Sequence, residues 1–208
     1  MILNTDSVKS SADNLPNGEL SGCEWLRGVN RIPSPNFNSR PADAEISLLV
    51  IHNISLPPGE YGNAHISDFF TNQLDCHAHP YFTEIADLQV SSHFLIDRCG
   101  QVTQFVSLEN RAWHAGQSCF QGRENCNDFS VGIELEGTDD EPYTSEQYGA
   151  LAKLARQLMI LCPAIREERI VGHSDIAPGR KTDPGPSFDW PRFRGALVDN
   201  HRNDRTVK

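Results

Sequence analysis

Ile46-Ser-Leu-Leu-Val-Ile-His52 is the stretch on which the fold turns. It is a near-continuous apolar run of strand length, rich in branched residues. That pattern belongs to a strand buried on both faces in the middle of a sheet. The run gives out at His52-Asn53, and Ile54-Ser-Leu-Pro-Pro-Gly59 follows as a loop. An imidazole therefore closes a core strand. A lone histidine in that place is most often a buried ring bonded to backbone. The arrangement recurs in Ile170-Val-Gly-His173, where a second short apolar strand ends on a histidine. Two histidines so placed point to a shared metal.

The loop beyond, Ser174-Asp-Ile-Ala-Pro-Gly-Arg-Lys181-Thr-Asp183-Pro-Gly-Pro186, carries an ammonium and a carboxylate. Pro184 pushes Asp183 out of the α region and into an extended conformation. In an extended segment Lys181 and Asp183 project to the same side. Taken alone, the loop reads equally well as a surface turn with a solvated Lys–Asp pair. With His52 in hand, His173 and Asp183 complete a two-histidine, one-carboxylate set. Such a set suits zinc and leaves an open position for water, whose pKa the metal brings toward about 7.

The remaining elements fit around that core. Phe129-Ser-Val-Gly-Ile-Glu-Leu-Glu-Gly137 alternates, with Val131, Ile133 and Leu135 on one face and Gly132, Glu134 and Glu136 on the other. The acidic face is either solvated or lines a site, and Gly132 would permit close approach by a ligand. Val90–Asp97 and Gln101–Val106 read as a hairpin around Gly100, with His93 inside its first strand. Arg111-Ala-Trp113-His114-Ala-Gly116 reads as a cleft wall or as a tryptophan on the sheet edge. Ile66–Leu74 has helical spacing. Cys76-His-Ala-His-Pro-Tyr-Phe82 reads as a loop whose His77 and His79 lack a third ligand. Thr144–Leu161 is the longest helix, opening on a Thr144–Gln147 capping box with an apolar stripe from Tyr148 to Met159. Phe188–Arg194 leads into a short terminal helix. The expected fold is α/β (α+β): a single domain with a central mixed β-sheet flanked by helices and the zinc site at strand ends. That domain is placed over 23–200, between a flexible polar extension (1–22) and a polar tail (201–208). Arg31–Pro41 is too proline-rich for a helix or central strand and should wrap the body.

A chain of 208 residues with 38% hydrophobic and 22% charged residues supports one sizeable core. The net charge of −10 argues against nucleic acid or an anionic membrane as partner. No apolar run reaches bilayer length. Met1–Lys9 lacks a secretory pattern, so the expected location is cytoplasmic. The six cysteines match no disulfide framework and contain no CxxC. They are expected to be reduced thiols, Cys119 and Cys126 being the nearest pair. With no cysteine at a strand-to-helix elbow, a Cys–His hydrolase is a poor fit.

A water nucleophile needs a proton acceptor, for which Glu134 or Glu136 qualifies. It also needs a cation for the oxyanion that forms on a carbonyl, and Lys181 qualifies. This inventory describes hydrolysis of an amide or an ester.

Val50–Gly62, Ala112-Trp-His-Ala-Gly116, Cys126–Thr138 and Gly172–Trp190 together resemble the zinc-dependent N-acetylmuramoyl-L-alanine amidases. Phage lysozyme-type amidases and peptidoglycan recognition proteins belong to the same family. The resemblance runs from about Trp25 to Phe193. It implies zinc on His52, His173 and Asp183, the catalytic acid–base on Glu134 rather than Glu136, and the transition-state cation on Lys181. It sets Asn53, His93 and Trp113 around the substrate. More narrowly, it implies the cytoplasmic members that free L-alanine peptides from 1,6-anhydromuramoyl groups in peptidoglycan recycling. The substrates of those members induce β-lactamase. Gln89 and Asn125 stand where relatives can carry arginines suited to the stem peptide's carboxylates, so contacts at Asn125 and Gln89 should differ. The expected partner is a small muropeptide, without nucleic acid or membrane, and the expected state is a monomer. The alternatives are an amidase acting on intact peptidoglycan and a non-catalytic peptidoglycan-binding module. The latter typically loses a metal ligand, and this chain keeps all three.

Overall fold

The computed structural model describes residues 25–203, with side chains through Val198. The extension over 1–22 and residues 204–208 of the tail lie outside the described residues. The chain runs β1 (Asn30–Arg31), β2 (Phe37–Ser39), β3 (Leu48–Ile54), α1 (His65–Phe70), α2 (Pro80–Ile85), β4 (Phe94–Ile96) and β5 (Val102–Gln104). It continues through β6 (Asn110–Ala112), β7 (Cys119–Phe120), β8 (Arg123–Glu124), β9 (Ser130–Glu136) and α3 (Ser145–Leu161). The last elements are β10 (Ile170–Gly172), α4 (His173–Ile176) and α5 (Trp190–Asn203). Six strands form one mixed sheet in the order β1-β5-β4-β9-β3-β10, and β2–β6 and β7–β8 are separate ribbons.

The opening run becomes β3, flanked on both sides by parallel partners, β9 and β10. Leu48, Leu49, Val50 and Ile51 are all fully buried, as a two-faced core strand requires. Leu49 and Ile51 pack with Val131, Ile133 and Leu135 beneath α3. Leu48 and Val50 pack on the opposite face with Ala115, Cys126, Phe129 and Ile176. Alternation then puts His52 and Glu134 on that second face. The register sets them side by side, because His52 pairs with Glu134.

α3 starts on the anticipated box: Gln147 N–H donates to Thr144 Oγ1 and Thr144 N–H to Gln147 Oε1, each at 3.1 Å. Its Tyr148, Leu151, Ala152, Ala155 and Leu158 are buried against the sheet. A Leu151→Ala cavity there costs about 2–5 kcal/mol.

Several elements differ from their sequence reading. The first hairpin strand begins at Phe94. Val90 O and Ser91 Oγ are taken instead by Asn36, through Nδ2 and the carbonyl oxygen, at 2.9 and 2.6 Å. α1 ends at Phe70 because Asn72 turns left-handed (φ 59°) and Gln73 N–H bonds back to Asp68 O. Within the supposed loop, Pro80 opens α2, where its missing N–H costs nothing, and His79 Nδ1 accepts from Tyr81 N–H at 3.2 Å. α5 runs on to Asn203. Among the described residues, Cys76, Cys99, Cys119 and Cys126 are free thiols. Among the described residues, no helix is long and apolar enough to cross a membrane.

The proline-rich segment does wrap the body, and Arg40 fastens it. Its Nε donates to Leu108 O at 3.1 Å, and its terminal nitrogens donate to Asn127 O, Asp128 O and Ser130 O at 3.1, 3.0 and 2.9 Å. The carbonyls of Asn127, Asp128 and Ser130 lie just before or at the start of β9.

Candidate metal centre and cleft

Parallel pairing of β10, β3 and β9 brings their C-terminal ends to one edge of the sheet. β10 stops at Gly172, and His173 begins the single turn of α4. A Cβ on Gly172 would meet Pro184 Cδ at 2.7 Å, so glycine lets the 183–184 segment lie over the strand end. Ser174 N–H then donates to Asp183 O at 3.0 Å and seats the loop.

The outcome is a triangle of donors. His52 Nδ1, His173 Nδ1 and Asp183 Oδ2 are each 3.0 Å from the other two. His52 and His173 are buried at 2% and 3% exposure. A tetrahedral ion with bonds of about 2.0 Å separates its ligands by roughly 3.3 Å, so the triangle is on the right scale. His173 Nε2 faces Ala115 O at 3.0 Å. A carbonyl only accepts, so Nε2 bears the hydrogen and Nδ1 turns its lone pair inward. Burial lowers the His52 pKa to about 4 against the opposing pull of Asp183. Burial alone would raise Asp183, but the facing His173 and His52 rings bring it well below the usual carboxylate range. Two imidazoles and a carboxylate converging at such distances form a set suited to a metal ion.

The triangle lies at the base of a cleft of about 570 Å³. Glu134 shares that base, is 8% exposed, and its Oε2 has no hydrogen-bond partner. Burial, reinforced by Asp183 and opposed by Lys181, raises its pKa well above the usual carboxylate value. Glu136, on the same strand face, accepts from Gly62 N–H at 2.6 Å and Arg98 N–H at 3.0 Å. Alternation alone left the two glutamates equivalent; their partners separate them. Lys181 is exposed at the cleft rim. Leu56, Phe69, Phe70, Tyr81 and Ile85 form an apolar wall, contributed mostly by α1 and α2.

Asn53 and Trp113 also line the cleft. Asn53 Nδ2 donates to Asp139 Oδ1 at 2.8 Å, and Trp113 Nε1 to Asn38 Oδ1 at 2.8 Å. The structure does not bring His93 there. His93 is fully buried, with Nδ1 accepting from Gly132 N–H and Nε2 facing Asn110 O, both at 3.1 Å. Burial and the neighbouring Arg40 lower its pKa to about 3. Asn125 is exposed in a left-handed turn (φ 55°), in a separate pocket with Gln117 and Arg180. Gln89 is exposed in another, beside Asp87 and Leu74.

His114 is the residue that sequence reasoning underused. Its Nδ1 lies 2.9 Å from His52 Nε2, and its Nε2 lies 3.0 Å from Ser130 Oγ. A Cβ on Gly132 would meet the His114 ring at 2.6 Å. The space over Gly132 is therefore filled by an imidazole rather than left for a ligand, which corrects the reading of that glycine. Burial, with the nearby His52, His93 and His173, pushes His114 well below the ordinary imidazole pKa. The signal available in the sequence was the Cβ-less position midway along a core strand.

The sequence pattern of the N-acetylmuramoyl-L-alanine amidases matches residues 42–186, and the chain belongs to that family. Within it, the chain is 57% identical over 170 residues to the 1,6-anhydro-N-acetylmuramyl-L-alanine amidase AmpD of Escherichia coli, covering 82% of this chain and 92% of that one. The AmpD of Salmonella typhimurium is 54% identical over 182 residues, 88% of this chain and 97% of its own. A crystal structure of a selenomethionine AmpD derivative superposes with a TM-score of 0.83 at 54% identity, covering 86% of this chain and all of that one.

Proposed function

We propose that the protein is a zinc amidase of peptidoglycan recycling, acting in the cytoplasm as a monomer whose catalytic domain spans 23–200. It hydrolyses the amide between the lactyl group of 1,6-anhydro-N-acetylmuramic acid and L-alanine in muropeptides. By consuming those muropeptides it lowers the signal that induces β-lactamase. The observation that carries the reading is the buried, partnerless Glu134 oxygen at the same cleft base as the donor triangle.

His52, His173 and Asp183 would hold the ion. Zinc bound there would supply Lewis-acid chemistry and make water a competent nucleophile near neutral pH. Glu134 takes the proton of the attacking water through its free Oε2. Its raised proton affinity lets it keep that proton and deliver it to the departing alanine nitrogen. Lys181 sets its ammonium against the negative charge that develops on the lactyl carbonyl oxygen. Asn53, held by Asp139, and Trp113, held by Asn38, position the substrate above them.

The test is a mass-spectrometric digest of anhydromuramoyl-tripeptide and of intact sacculi, each with and without a chelator. Chelator-sensitive peptide release from the soluble substrate alone is the expected result. Equal release from sacculi assigns the protein to intact cell wall instead, and release that survives chelation and metal analysis sinks the zinc role.

A further inference from the structure

We infer that His114 is a positioning residue for the metal centre: its Nδ1 accepts the Nε2–H of His52 and thereby holds His52 Nδ1 as a lone-pair donor toward His173 and Asp183. The inference rests on the zinc reading but assigns a role outside the three ligands, Glu134 and Lys181.

Hydrogen counting along one line of rings carries it. His52 Nε2 and His114 Nδ1 are 2.9 Å apart, so one hydrogen lies between them. If it belonged to His114, a neutral His52 would carry its hydrogen on Nδ1. That hydrogen would point into the triangle, where His173 Nδ1 and Asp183 Oδ2 each lie 3.0 Å away, and would block ligation. Ligation by Nδ1 therefore requires Nε2–H on His52 and a bare Nδ1 on His114. A neutral His114 must then carry its hydrogen on Nε2, which faces Ser130 Oγ at 3.0 Å, a hydroxyl able to accept. His173 needs no such relay, since its Nε2–H meets the carbonyl of Ala115 at 3.0 Å. The two imidazole ligands are thus oriented by different devices, one by a fixed acceptor and one by an imidazole that is itself oriented.

The His114 ring is fixed independently of these bonds. His114 N–H and Ala115 N–H both donate to Asn127 Oδ1, at 3.1 and 2.8 Å. The ring also rests in the space over Gly132, where a Cβ would come within 2.6 Å.

The experiment measures zinc affinity by competition with a chromophoric chelator for wild type, His114→Phe and His114→Asn, with far-UV circular dichroism to report folding. Phenylalanine keeps a flat ring over Gly132 and removes the acceptor. Asparagine places an amide oxygen near the Nδ1 position. The expected result is a roughly 10- to 100-fold weaker zinc affinity for the phenylalanine variant and recovery of most of it with asparagine. Wild-type affinity in a folded phenylalanine variant overturns the inference, as does equal loss in both variants, which is what simple packing would give. Ser130→Ala leaves both rings in place and serves if the His114 variants misfold; it should weaken zinc binding, and unchanged affinity overturns the relay. Long-range ¹H–¹⁵N spectra of the zinc-loaded wild type should place the His114 hydrogen on Nε2, and a hydrogen on Nδ1 refutes the assignment without any variant. Failure of the wild type to bind zinc at all would instead remove the underlying metal reading.

Discussion

The middle of β9 and its C-terminal end carry the same residue type on the same face, yet treat it oppositely. At the end, Glu136 is 3% exposed and receives two backbone N–H groups. In the middle, Glu134 is 8% exposed, has an oxygen without a partner, and has its pKa raised by burial. Burying a carboxylate is costly unless hydrogen bonds compensate for lost water. Glu136 is compensated and ties β9 to the Gly62 turn and the Arg98 turn. Glu134 is not, and the fold tolerates the cost where the cleft opens. The difference teaches that a buried acid's partners, more than its burial, mark it as structural or reactive.

The sharpest way to break the comparison is Glu134→Gln. It should lower kcat by about 10²–10⁴ while zinc stays bound, measured by peptide release and metal analysis. Lys181→Ala should cost about 10²–10³ in kcat, with little change in zinc affinity or Tm. Glu136→Gln should do the reverse. Swapping a carboxylate oxygen for an amide donor before two N–H groups should cost about 1–3 kcal/mol in denaturant unfolding, with kcat of the folded enzyme changed only about twofold. The smallest effect sharpens the contrast through pH. Glu134 has a folded pKa above its ordinary value of 4.5. Its protonated form therefore contributes stability that is complete below that value and is lost as pH rises toward and through the folded pKa. Glu134→Gln escapes that loss. In chelator, its Tm should match wild type near pH 4 and exceed it at pH 7 by about a few degrees. A gap that shrinks as pH rises would contradict the assigned shift.

The core was legible because β3 is continuous and β9 alternates, two patterns that local sequence carries in full. The donor triangle was legible for the same reason: His52 and His173 each follow a buried run, and Asp183 is fixed by the proline after it. What decides between Glu134 and Glu136 was not, because the deciding atoms are the amides of Gly62 and Arg98, far away in sequence. The helix α2 hid in a polar stretch, although Pro80 behind a capping His79 is a recognisable start. His93 and His114 look alike in the sequence, and only tertiary packing places one behind the other, with His114 touching His52 and His93 touching Gly132 N–H.

Arg40 bears on how short the enzyme can be made. The family pattern begins at residue 42, and a fragment cut there would retain every donor, both glutamates and Lys181. It would lose the guanidinium that gathers the carbonyls of Leu108, Asn127, Asp128 and Ser130. Ser130 is the residue on which His114 leans, and Asn127 is the one that pins His114's backbone. A shortened enzyme should therefore start upstream of Arg40, keeping the strap that holds the two residues on which His114 is anchored.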